Sequence, residues 1–110
     1  MNKRRTFEKQ PNDDLDYDVD MSEWFEFDVA DEISVVGTGV IVSTTGEASP
    51  TLSLGPTPHP QTVLIGSSPT SFKMWVDGGT DGEDYKVTFL ITTVASRKVE
   101  VEVFFRVRDK

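Results

Sequence analysis

Four aspartates alternate with apolar residues in the run Asp14-Leu15-Asp16-Tyr17-Asp18-Val19-Asp20. Carboxylates are the ligands a hard cation prefers. A calcium loop of the helix–loop–helix kind needs Gly at its sixth position and Glu at its twelfth. Counted from Asp14, those positions hold Val19 and Phe25; counted from Asp16, they hold Met21 and Phe27. That loop is excluded. Two readings remain, an adventitious cation site or an acidic edge turned to solvent or a partner. Alternation spaces the carboxylates along one strand face at about 6–7 Å per step. Such spacing spreads charge instead of caging an ion, so no metal is expected.

The other chemical candidates are sparse. His59, the only histidine, lies between Pro58 and Pro60. A lone imidazole without a nucleophile beside it is weak ground for catalysis, and the prolines point to a rigid loop tip. Gly78-Gly-Thr-Asp-Gly82 is glycine-rich but lacks the Gly-Lys-Ser/Thr ending of a phosphate-binding loop. It joins strand to strand, so its glycines are expected to supply positive φ. No constellation reads as catalytic, and no cofactor is expected. Trp24, Phe25 and Phe27 put much aromatic area close to the acidic run. Trp24 is expected in the core, whereas Phe25 and Phe27 stay open between core and partner contact.

The elements that must position these residues are strands. Val99, Val101, Val103, Phe105 and Val107 share one face of the last segment, Lys98 to Arg108. Glu100, Glu102, Arg106 and Arg108 share the other, with Phe104 as the apolar exception. Period-two alternation is what a half-buried antiparallel strand requires. Ser71–Val76 and Asp84–Ala95 read likewise, joined by the Gly-rich loop, and Ser96-Arg97 makes the last turn. Leu15–Phe27 begins as an edge segment with one apolar and one acidic face, and Asp20–Trp24 within it fits one helical turn, with Asp20 as N-cap and Glu23 placed as in a capping box. Asp31–Ser43 is β-branched, with a bend at Gly37 and Gly39. Short strands fit Thr51–Leu54 and Thr62–Ile65, while Thr57–Pro60 cannot sit inside a sheet. About seven strands at intervals near 8–12 residues predict an all-β, immunoglobulin-like β-sandwich over residues 15–110. Tyr85, two residues before inward Val87, sits where such a sandwich puts its tyrosine corner. Trp75 is expected to point into the core or across to Tyr85. Residues 1–14 are expected as an extended arm that a monomer alone does not hold, with Phe7 as its one apolar anchor.

Composition narrows the class further. The 110 residues carry no cysteine, so neither disulfides nor thiolate metal sites are available. Synthesis in a reducing cytoplasm fits that. No apolar run approaches the roughly 18–20 residues of a membrane span, and the charged start lacks an apolar signal core. Net charge is −8, with +3 on residues 1–10 and −10 on residues 11–35. An acidic chain is a poor nucleic-acid binder. Lys3, Arg4 and Arg5 are either a free tail or complementary to an acidic neighbour, including the acidic segment of an adjacent copy.

Two stretches carry a family resemblance. The first is Pro11-Asn-Asp-Asp-Leu-Asp-Tyr-Asp-Val-Asp-Met-Ser-Glu-Trp24, followed by Ala30-Asp-Glu-Ile33. The second is Met74-Trp-Val-Asp-Gly-Gly-Thr-Asp-Gly-Glu-Asp-Tyr-Lys-Val87, then Ile91-Thr-Thr-Val-Ala-Ser-Arg97 and the alternating last strand. Together they resemble the fibre–tail adaptors of tailed bacteriophages, apart from residues 37–69, which do not align. Met21 stands where that family often has Trp, and Ser96 where a Gly often begins the last turn.

The resemblance implies a non-enzymatic virion protein of the tail, present in several copies, that attaches tail fibres to the tail adaptor or nozzle. Its partners would be those virion proteins and neighbouring copies of itself. Phe7, Tyr17, Trp24 and Phe25 would supply apolar anchors; Arg4, Arg5, Asp14, Asp16 and Asp18 would supply electrostatic register. Capsid decoration or head–tail completion by the same fold is the nearest rival reading. A carbohydrate-binding module is a more distant one, and would need Trp75 and Tyr85 turned outward.

Overall fold

Alternating side chains organise the chain into two facing sheets. The computed structural model describes residues 3–25, 28–37, 39–49, 51–56 and 58–109. Among these run β1 (Lys3–Lys9), β2 (Leu15–Asp20), the single-turn helix α1 (Ser22–Phe25), β3 (Ala30–Val35), β4 (Ile41–Val42), β5 (Ser53–Leu54), β6 (Thr62–Leu64), β7 (Ser71–Asp77), β8 (Asp84–Thr93) and β9 (Lys98–Val107). One sheet has the order β1-β9-β8-β3, with β4 also on β8. The other has the order β2-β7-β5, with β6 also on β7. The all-β, two-layer expectation holds. The described strand segments exceed the expected seven because β4, β5 and β6 are separate pieces of two or three residues. Phe27, left open above, lies outside the described residues, as does Thr57 of the proline loop.

The core is the meeting of two inward faces. β9 buries Val99, Val101, Val103, Phe105 and Val107, and β8 buries Tyr85, Val87, Phe89 and Ile91. Their antiparallel register sets Val87 opposite Val103 and Phe89 opposite Val101. From the second layer β7 contributes Phe72, Met74 and Val76. Phe72 and Phe89 meet across the layers with ring centroids 4.9 Å apart. Each such side chain contributes about 1.5–3 kcal/mol by leaving water.

Three sequence expectations are corrected. Lys3–Lys9 is not a free arm: it pairs in parallel with β9, Lys3 opposite Val101 through Lys9 opposite Val107. Its described inward positions are Arg5, Phe7 and Lys9, so the strand carries no continuous apolar pattern. Trp75 points neither into the core nor at Tyr85, because Phe72, Met74 and Val76 take the inward positions of β7. Leu15, expected on the apolar face of β2, is 48% exposed.

The loops use their glycines as expected. Gly78, Gly79 and Gly82 all have positive φ. A Cβ on Gly78 would lie 2.1 Å from the Thr51 carbonyl oxygen, so the loop packs backbone against backbone there. In the β8–β9 turn Ser96 takes φ 65°, a conformation that suits glycine.

Candidate partner-binding surface

Of the residues singled out from the sequence, Arg5, Phe7, Tyr17 and Trp24 gather where β1, β2 and α1 meet. Phe7 on β1 lies 5.0 Å from the Tyr17 ring on β2 and 5.8 Å from Phe105 on β9. Tyr17 meets Phe105 edge-on at 5.3 Å. This three-ring cluster joins the two layers along one side of the sandwich. Burial pushes the Tyr17 hydroxyl pKa above its ordinary value, helped by the charge of Asp13.

Arg5 closes the same seam. Its guanidinium lies 4.4 Å from the centroid of the Trp24 ring and 2.7 Å from Glu23 Oε1. It also donates to the Asp20 carbonyl at 3.3 Å. A cation over an indole at a solvent-accessible edge is worth about 0.5–1 kcal/mol. Glu23 is thus taken by Arg5, while Asp20 Oδ1 accepts the Ser22 N–H at 2.9 Å. That backbone hydrogen bond is the first reason the Asp20 carboxyl titrates below its ordinary value.

Arg4 points the other way. On the outer face of the first sheet it sits 4.8 Å from the Phe104 ring centroid and 3.9 Å from Glu102. Lys86 reaches the same Glu102 at 3.2 Å. Phe104, the apolar exception in β9, is therefore an exposed-face aromatic with an arginine across it.

Asp16 and Asp18 share the outer face of the second sheet, where Lys73 Nζ donates to both, at 2.6 and 2.8 Å. The Lys73 hydrogen bond is the first cause holding the Asp16 carboxyl below its ordinary range, and Asp16 in turn raises the Lys73 ammonium. One lysine thus bridges two aspartates of the alternating run. Asp14 is exposed in the β1–β2 connection. Among the described residues, no group of three or more His, Asp or Glu side chains is placed to hold a metal ion.

Phe25 does not belong to this surface. It is fully buried in the core, and Arg97 donates to its carbonyl. Its neighbour Trp24 is only partly buried against the core. In one helical turn adjacent residues face different ways, which assigns Phe25 to packing and leaves Trp24 at the edge.

Three features escaped the sequence reading. Trp75 stacks on His59 on the outer face, ring centroids 5.2 Å apart and planes within 4°. Lys9 is 3% exposed, with Nζ donating to the carbonyls of Gly78 at 2.7 Å and Gln10 at 2.8 Å. Burial lowers its ammonium pKa, opposed by Asp13, Asp77 and Asp14. Asp28 accepts from Val29 N–H at 2.9 Å and Ala95 N–H at 3.2 Å, and pairs with Arg97 at 3.2 Å. The alternation of β7 was a usable signal for Trp75. Lys9 and Asp28 gave none.

The chain matches the podophage GP4 fiber-tail adaptor protein gp77 family over residues 9–106. The chain belongs to this family. The fibre–tail adaptor match spans both stretches that carry the resemblance and also the middle, residues 37–69, which the resemblance leaves out. It also takes in β2 and α1 with most of the candidate surface; of β1 it includes only Lys9. No curated protein matches the chain in sequence. Among the described residues, no helix of this adaptor-family chain is long and apolar enough to cross a membrane.

Proposed function

We propose that the chain is a bacteriophage virion structural protein that attaches tail fibres to the tail through protein–protein contacts, with an immunoglobulin-like sandwich as its rigid mount. The family match over residues 9–106 carries this reading. The strand order supports the immunoglobulin-like assignment. β9, β8 and β3 correspond to the G, F and C strands, and β2 and β7 to B and E, with β5 and β6 in the place of D. The Tyr85 hydroxyl, bonded to the upstream loop at Thr80, matches a tyrosine corner in character.

The contact surface assigned to tail proteins is the β1–β2–α1 seam and its flanks. Phe7, Tyr17 and Trp24 offer apolar area, and Arg4, Arg5, Asp14, Asp16 and Asp18 set charge register. Phe25 is withdrawn from that set. The partners are the tail adaptor or nozzle, the fibre and neighbouring copies, and the site of action is the virion tail. The role asks for no catalysis, cofactor, nucleic acid or membrane. The carbohydrate reading loses ground: Tyr85 is buried, and the His59 ring lies parallel to Trp75.

Purified protein added to fibre-less tails of the phage tests the proposal. Co-sedimentation with the tails and restored fibre attachment are expected. Absence of both would sink it.

A further inference from the structure

The two long sides of the sandwich differ. On one, the seam between β1 and β2 is sealed by Phe7 against Tyr17 and by Arg5 against Glu23 and Trp24. On the other, β3 and β6 border an open groove of about 520 Å³. Among the described residues, β3 pairs only with β8, and β6 only with β7. Both are edge strands, and their free sides meet at the groove.

The backbone of β3 is turned to receive a strand. The Ala30 N–H points away from β8 and donates to the Pro69 carbonyl at 2.8 Å. The register then shifts between Ala30 and Glu32, as at a bulge. Beyond it the Val36 N–H donates to Thr88 on β8 at 2.9 Å. Alternation therefore turns the N–H and C=O groups of Ile33 and Val35 away from β8, towards the groove side. Such open edges are templates for strand addition.

The side chains state what would fit. Asp31 and Glu32 are exposed at the groove, and no lysine or arginine lines it. Neither acid forms an ion pair with a described residue. Val63 is 43% exposed in the lining and Ile65 37% exposed just beyond it, two of the few large apolar side chains left in water. Ser34 and Leu90 complete one wall.

We propose that this groove takes an extended segment of a neighbouring virion protein in which basic and apolar residues alternate, added as a strand to the β3 edge. The proposal rests on the adaptor reading for the source of the segment. Alternation places the basic side chains of the added strand beside the exposed acids of β3 and turns its apolar ones towards β6. A second copy of the chain is the less suited occupant. Its own basic strand, β1, is already paired with β9, and its cations Arg4, Arg5 and Lys9 are engaged within the chain.

The test uses the full chain and a ten-residue peptide of alternating lysine and valine, with a glutamate–valine peptide as control. Fluorescence anisotropy is expected to show binding of the lysine peptide only. Amide exchange should slow at Ile33 and Val35 when it binds. The double variant Asp31→Lys/Glu32→Lys is expected to lose at least tenfold in affinity. Glu47→Lys/Glu100→Lys, which changes net charge equally at positions outside the groove lining, should stay within twofold of the original. Equal losses in both variants, or protection confined to β2, would overturn the groove assignment. Self-association abolished only by Asp31→Lys/Glu32→Lys would give the groove to a second copy and overturn the choice of partner. Fibre-less tails separate the two levels. If the original protein binds them and the groove variant binds equally well, the groove proposal fails and the adaptor reading survives. If the original protein does not bind them, the adaptor reading fails, and the peptide result still decides the chemistry of the groove.

Discussion

The hydroxyl of Tyr85 accepts the backbone N–H of Thr80 at 2.9 Å, and the same oxygen is hydrogen-bonded to Thr51 Oγ1 at 2.9 Å. A buried ring on β8 thus holds both the Gly-rich loop and the strand-poor middle of the chain. Tyr85→Phe keeps the ring and leaves the Thr80 N–H without its acceptor. A loss of about 1–2 kcal/mol is expected in urea unfolding at neutral pH. An unchanged midpoint would mean the loop is held elsewhere.

Gly78 and Gly82 share positive φ but not surroundings. A Cβ on Gly78 would meet the Thr51 oxygen at 2.1 Å, whereas one on Gly82 meets nothing within 4 Å. Gly82→Ala should cost only the left-handed penalty, about 1–2 kcal/mol. Gly78→Ala adds a backbone clash and should cost about 3 kcal/mol or more. Thermal unfolding of both variants checks the order; equal losses would contradict the close approach.

Ser96 sits at φ 65° in the tight β8–β9 turn, where its N–H donates to the Thr93 carbonyl at 2.9 Å. Ser96→Gly removes the Cβ strain and adds some chain entropy on unfolding. The net is expected to be a gain of about 0.5–1 kcal/mol, read as a higher denaturant midpoint. A lower midpoint would show that the serine side chain contributes something the turn geometry does not reveal.

Acid should loosen the fold through a small set of carboxylates. Asp28 is held below its ordinary value, first by the Thr93 side chain and then by Val29, Arg97 and Ala95. Asp16 and Asp20 are also lowered, by Lys73 and by the Ser22 N–H respectively. A folded-state pKa below the unfolded one gives stability that is present above the ordinary carboxylate range. That stability is lost as pH falls through the folded value. Denaturant midpoints measured from pH 7 down to pH 2 should therefore fall below about pH 4. Asp28→Asn should lower stability at pH 7 and flatten the acid limb. The same acid slope in variant and original protein would remove Asp28 from the account.

The legible part of this fold is the part where apolar periodicity is unbroken. β7, β8 and β9 match their expected bounds closely because every inward position but Thr93, at the end of β8, is apolar. β1 was missed for the opposite reason. Its inward Arg5 and Lys9 pack their stems and satisfy their charged ends on Trp24, Glu23 and backbone carbonyls. In sequence, such residues read as a solvated arm. Trp75, expected to point inward, is turned out by its alternation with Phe72, Met74 and Val76. Phe25 and Trp24 could not be separated because a single helical turn has no period to read. The β3–β6 groove depends on which short segments pair with β7, and two- or three-residue strands carry too little pattern to say.

The central claim is that this sandwich is a mounting part of the phage tail. Imaging the particle with this subunit labelled tests it most directly. The account predicts label in a few copies around the tail, next to the fibre bases. Label at the local threefold axes of the capsid, or none on the virion, would contradict it.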